Sequence, residues 1–97
     1  MSPPIPRRRL VVEVAETSLS VDREHKSGLY ARAGVADYWI VNLREAVLEV
    51  GRQPTRAATA PFGWEYQSVQ RLARGLSIAP LAAPGAEIAI ANLLPPA

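Results

Sequence analysis

The sequence contains no cysteine, one histidine, one methionine and one phenylalanine among its 97 residues. The missing cysteines exclude disulfide frameworks, thiolate metal sites and cysteine nucleophiles together. With His25 as the single histidine, neither a histidine-built zinc centre nor a Ser-His-Asp triad is expected within this chain. Long apolar runs are absent too, and none approaches the roughly 20 residues that a membrane-spanning helix needs. The basic residues near the N-terminus are not followed by an apolar stretch with a cleavage site, so no signal peptide is expected and the chain reads as cytoplasmic. Lysine is nearly absent: of the 11 basic residues, Lys26 alone is not an arginine.

The composition that remains is that of a globular domain, 48% apolar and 21% charged. A chain of this length buries roughly 60–65% of its unfolded surface, enough for one modest core. The formal net charge of +2 permits a nucleic-acid partner without arguing for one.

Residues 1–9, with Pro3, Pro4 and Pro6 before Arg7-Arg8-Arg9, read as a flexible tail. Leu10 to Ala15 reads as a strand with Leu10, Val12 and Val14 on one face and Val11, Glu13 and Ala15 on the other. Hydroxyl residues between Glu16 and Ser20 can cap a helix from about Val21 to Ala33, ending at Gly34 in a left-handed conformation. Gly28 inside that helix costs about 1 kcal/mol relative to alanine. Tyr38 to Asn42 and Ala46 to Val50 read as a hairpin, residues 51–63 as an open loop, and Trp64 to Leu72 as a fourth strand. Leu76 to Leu81 reads as a short extended piece, Glu87 to Ala91 as a last short strand, and Asn92 to Leu94 as a single turn. The sum is an α+β (α/β) chain, β-α-β-β-β with one main helix. A sheet with a helix on one face only is an incomplete layer arrangement, so a homodimer or another partner chain is expected over the open face.

Glu13 is the most informative position, a carboxylate inside an otherwise apolar strand. Unpaired burial of an ionised carboxylate is costly, so it is expected to neutralise or to find a cation. It could ligate Mg²⁺ or Mn²⁺ through oxygen; alternatively it faces solvent at a sheet edge or pairs with an arginine. Lys26 could orient a water or stabilise charge on a phosphorane-like transition state. Its alternative is an i, i+4 salt bridge with Asp22. Asp22 could be a further metal-shell carboxylate or a first-turn helix acid, and Tyr30 a phosphate contact or a packing residue. Asp22, Lys26 and Tyr30 occupy neighbouring positions of one helix face. His25 points elsewhere and reads as a surface residue. Arg7 to Arg9 could touch a phosphate backbone or simply be solvated. Trp39 and Trp64 read as core.

The succession Leu10-Val-Val-Glu-Val-Ala-Glu-Thr-Ser-Leu19, Asp22-Arg-Glu-His-Lys26, Leu29-Tyr-Ala-Arg-Ala-Gly-Val35 and Asp37-Tyr-Trp-Ile-Val-Asn-Leu43 resembles the Uma2 family. These are bacterial proteins of the PD-(D/E)xK, restriction-endonuclease-like superfamily. The resemblance runs over about residues 10–94, leaving 95–97 as a short tail. It implies a restriction-endonuclease-like mixed sheet and a metal-dependent site for cleaving DNA phosphodiesters, with Mg²⁺ or Mn²⁺ as cofactor. By that resemblance Glu13 is the core-strand acid and ligates the metal, and Lys26 is the lysine carried on the following helix. In the wider superfamily the lysine lies two residues after the acid, where this chain has Ala15. Uma2-like proteins also carry an upstream segment with a first catalytic aspartate. Here the only aspartates are Asp22 and Asp37, so the resemblance implies an N-terminally truncated domain, inactive alone or completed by a second subunit. The alternative is a non-catalytic remnant or protein-interaction module.

Overall fold

The computed structural model describes residues 9–16 and 20–96, and for residues 20–23 the backbone alone. The expected tail over residues 1–8 and most of the capping segment before the helix lie outside the described residues. Among the described residues, six strands, one α-helix and a short 3-10 turn follow in order: β1 (Leu10–Ala15), α1 (Ser20–Arg32), β2 (Asp37–Asn42), β3 (Val47–Arg56), β4 (Trp64–Ala73), β5 (Ser77–Ile78) and β6 (Ile88–Ala89), then the turn Ile90–Asn92. The first four strands form one mixed sheet in the order β1-β2-β3-β4. β1 runs parallel to β2, with Glu13 beside Ile40, and α1 is the crossover that this parallel pairing requires. β2-β3 and β3-β4 are antiparallel hairpins.

Helix α1 stops where its sequence says it should. Gly34 takes φ 81° and its N–H bonds to the Ala31 carbonyl, while the Val35 N–H reaches the Tyr30 carbonyl. These bonds satisfy carbonyls that the helix end would otherwise orphan. The helix packs on the sheet face that carries Val11, Ala15, Tyr38 and Ile40, with Ala31, Val35 and Tyr66 completing a buried cluster. Glu13 therefore projects to the covered face. Its neighbours Val12 and Val14 project to the other one and are 47% and 65% exposed.

The second face is partly covered from within the chain. Trp39, Val41, Leu48 and Val50 pack against Ile78, Ile90 and Leu94 from the C-terminal segment. β5 and β6 pair with each other as a separate two-stranded sheet. An expected open face thus shrinks to the β1 side, where Val12 and Val14 stand in solvent.

Two expectations need correction. Only residues 57–63 connect β3 to β4, because β3 continues through Gly51 and Pro54 to Arg56. β2 begins at Asp37, opposite Arg52, so past Arg52 β3 has one neighbour instead of two. A proline there forfeits no ladder bond on its free side. Trp64 is half-buried at the rim, with the Arg56 guanidinium 5.7 Å from its ring centroid, and is not a core residue like the fully buried Trp39.

Gly51 is required by a close approach. A Cβ there would lie 2.9 Å from two ring atoms of Tyr66, whose hydroxyl is tied to the Val35 carbonyl at 2.7 Å. The ring cannot easily swing aside without breaking that bond. Gly51→Ala is therefore expected to destabilise the domain by about 1–3 kcal/mol, as overpacking does, measurable by urea unfolding.

Candidate active site

Four side chains meet on the covered face between β1, α1 and β2. Glu13 lies at the middle of β1, and its two oxygens are engaged separately. The Tyr30 hydroxyl donates to Oε1 at 2.8 Å, and the Tyr38 hydroxyl donates to Oε2 at 3.1 Å. Lys26 Nζ stands 3.5 Å from the same Oε2. Lys26 and Tyr30 share one face of α1 because they are four residues apart, and the crossover lays that face over β1. Tyr38 arrives from β2, two residues before Ile40, the register partner of Glu13, and so on the same face of the sheet.

The electrostatics follow from these contacts. Burial alone would push the Glu13 carboxyl up, but the hydrogen bonds from Tyr30 and Tyr38, followed by the charge of Lys26, outweigh it and hold the group below the ordinary carboxylate range. The Tyr30 phenol is raised, first by its bond to Glu13 and then by burial. Burial, then the Glu13 charge, raises Tyr38 strongly. Both phenols are thus protonated donors at neutral pH. A carboxyl with a depressed folded-state pKa stabilises the fold at neutral pH, and that contribution is lost as the pH falls through the folded value. Glu13→Gln is accordingly expected to lower stability at neutral pH, with the difference from wild type closing in acid; paired urea titrations at the two pH values measure it.

Glu13 and Lys26, singled out in the sequence, are brought together across the crossover, so Lys26 bridges to Glu13 in the folded chain. Tyr30 joins them through its hydroxyl instead of acting as packing alone. Asp22 falls in the helix, but its side chain lies outside the described residues, and so do Arg7 and Arg8. His25 is exposed and meets the Phe62 ring edge-on at 4.7 Å, away from the cluster.

Sequence reasoning missed Tyr38, because a Tyr-Trp-Ile-Val run reads as core and carries no sign of a hydroxyl aimed at an acid. It also missed two buried carboxylates. Asp37 is fully buried and accepts from Trp39 Nε1 at 2.6 Å, Arg52 Nε at 2.9 Å and the Leu81 N–H at 2.9 Å. That set of partners makes Asp37 a structural tie between β2, β3 and the C-terminal segment. Glu49 sits opposite Ile40 on β3 and accepts from Asn42 Nδ2 at 2.9 Å. It borders a cleft of about 560 Å³ between α1, β3 and the 57–63 turn, one wall of which is the Tyr38 ring.

The family model Uma2, described as "Putative restriction endonuclease", matches residues 3–91. The chain belongs to the Uma2 family. Neither a curated protein nor a solved structure matches it. The four-stranded mixed sheet with one crossover helix is consistent with the restriction-endonuclease-like core expected of an Uma2 protein. Among the described residues no helix is long and apolar enough to cross a membrane.

Divalent metals are associated with restriction-endonuclease-like proteins, and the described residues can be tested against one. Glu13 offers the hard oxygen that Mg²⁺ prefers. However, no three His, Cys, Asp or Glu residues come together as a metal-holding group among the described residues. Each Glu13 oxygen already accepts a phenol, and Oε2 also faces Lys26. A near-octahedral ion needs more ligands than this one carboxylate supplies. The described residues therefore do not fit a resident Mg²⁺ by themselves.

Proposed function

We propose that this Uma2 protein acts on DNA phosphodiesters through the pair Glu13 and Lys26. The observation that carries the reading is the juxtaposition of the strand acid with the helical lysine at 3.5 Å, on a family member whose fold is consistent with that of nucleases. Lys26, with 46% of its side chain exposed, is the cation that meets a phosphate oxygen and stabilises the charge that develops there. Glu13, kept ionised, holds that ammonium in place until the phosphate competes for it. The family reading brings Mg²⁺ or Mn²⁺ with it as cofactor and a cytoplasmic setting in which DNA is met. Since the described residues fall short of a metal site, the reading requires a further carboxylate, from the Asp22 side chain or from a second subunit.

Nicking of supercoiled plasmid by purified protein with Mg²⁺ or Mn²⁺, against an EDTA control, tests this. Metal-dependent nicking that disappears in Glu13→Gln is the expected result. A folded wild-type protein that leaves the plasmid intact under every metal condition would overturn it.

A second reading, a protein-interaction module, is favoured by one observation. Val12 and Val14 are exposed along β1, whose outer edge carries no strand among the described residues. On this reading the chain associates with itself or with another chain through β1. Sedimentation velocity over a concentration series then shows association in the wild type, abolished by Val14→Lys. A monomer at all concentrations argues against association with itself.

A further inference from the structure

We propose that Tyr38 is a positioning residue, whose buried phenol fixes the Glu13 carboxylate in the one orientation that presents it to Lys26 and to substrate. This rests on the reading of Glu13 and Lys26 as the functional pair. Three observations carry it. First, Tyr38 has little freedom: it is 2% exposed, on a strand paired on both sides, with its ring 4.8 Å from that of Tyr30 and 6.0 Å from that of Tyr66, centroid to centroid. Second, its hydroxyl donates to Oε2, the oxygen that also faces Lys26. Third, Tyr30 holds the opposite oxygen from a different element, so rotating the carboxylate plane would break two hydrogen bonds at once. The acid is thereby oriented by the fold, from β2 and α1 together, and not by its own strand neighbours. Among the described residues, the charged and titratable groups around it are Lys26 and Tyr30 on α1, Tyr38 on β2 and Arg9 just before β1, whose charge reaches Tyr30.

Tyr66 supplies an internal control. It belongs to the same buried cluster and stacks on Tyr38, but its hydroxyl donates to the Val35 backbone carbonyl and not to Glu13. Tyr38→Phe and Tyr66→Phe each delete one buried phenol bond and keep the ring. A purely structural role predicts the same outcome for both, a loss of stability with the site unchanged.

The test compares the two variants in infrared difference spectra and in plasmid nicking. The Glu13 carboxylate bands are identified as those lost in Glu13→Gln. They are expected to shift in Tyr38→Phe and to stay in place in Tyr66→Phe. In nicking, Tyr38→Phe is expected to lower kcat about 10- to 100-fold, by analogy with the loss of groups that orient metal ligands, with KM for DNA little changed. Tyr66→Phe is expected to retain the wild-type rate in whatever fraction is folded. Carboxylate bands that do not move in Tyr38→Phe, or equal effects of the two variants, overturn the proposal. If the wild type does not nick at all, the reading of the pair as a phosphodiesterase site fails; the infrared comparison then decides by the same criterion whether Tyr38 orients Glu13.

Discussion

Replacing Asp37 with alanine is expected to unfold most of the population at ambient temperature. Asp37 is fully buried and its two oxygens hold Trp39 Nε1, the Arg52 side chain and the Leu81 N–H. Arg52 is itself largely buried and bonds onward to the Ala79 carbonyl at 2.7 Å. Removing the carboxylate leaves a guanidinium without its counter-charge and the buried Trp39 indole N–H without its acceptor, and it cuts the tie to the Leu81 N–H. Breaking one side of a buried pair costs about 3–5 kcal/mol, and each further orphaned donor adds about 1–3 kcal/mol. A domain of this size has a total stability of about 5–15 kcal/mol and lies toward the small end of the sizes that fold alone. Asp37→Asn keeps the shape and one acceptor oxygen, so it is expected to fall between wild type and alanine. Urea unfolding followed by tryptophan fluorescence measures both, since Trp39 is one of the partners. A Tm of Asp37→Ala within a few degrees of wild type would contradict this assignment.

The second large effect is expected at Lys26, on activity instead of stability. Its ammonium is partly exposed and its bridge to Glu13 is worth little to the fold after solvent screening. Lys26→Ala should therefore melt close to wild type. On the proposed reading, in which the ammonium meets the phosphate, its loss is expected to slow nicking by about 100- to 1,000-fold, the range for removing one preorganised charge-stabilising group. Lys26→Arg keeps the charge but spreads it over a planar, longer head, and recovers only part of the rate. A Lys26→Ala protein that nicks at the wild-type rate would remove Lys26 from the mechanism. One that is unfolded would make the lysine structural.

These two positions differ in how far the sequence reveals them. Lys26 stands out as the single lysine in an arginine-rich chain, and Glu13 as an acid amid valines. Alternation places Glu13 on the face opposite Val12 and Val14, and Gly34 marks the helix end. Their meeting depends on the strand-helix-strand order read from the residues closing as a crossover, which the parallel pairing of β1 with β2 makes. Asp37 is not legible, because an acid just before an aromatic strand looks like a loop residue. Its partners Arg52 and Leu81 lie 15 and 44 positions away and carry no local pattern. The full length of β3 is hidden for a different reason. Gly51 and Pro54 are breakers by propensity, yet one makes room for the Tyr66 ring and the other sits where the strand has lost a neighbour. The cover over the second face is built from Ile78, Ile90 and Leu94, carried on short segments that Pro80, Pro84, Gly85 and Pro95 interrupt. No periodicity connects such residues until the chain has folded back.

On the proposed reading, Glu13 and Lys26 work as one unit on a phosphodiester. The most direct measurement is a double-mutant cycle on plasmid nicking, with Glu13→Gln, Lys26→Ala and the combined variant assayed beside wild type in Mn²⁺. Residues that act together lose most of the rate with the first substitution and little more with the second. The expected result is a double variant about as slow as the worse single one, with all four proteins folded. Single effects that multiply in the double variant, or singles that leave the rate unchanged, would contradict the claim.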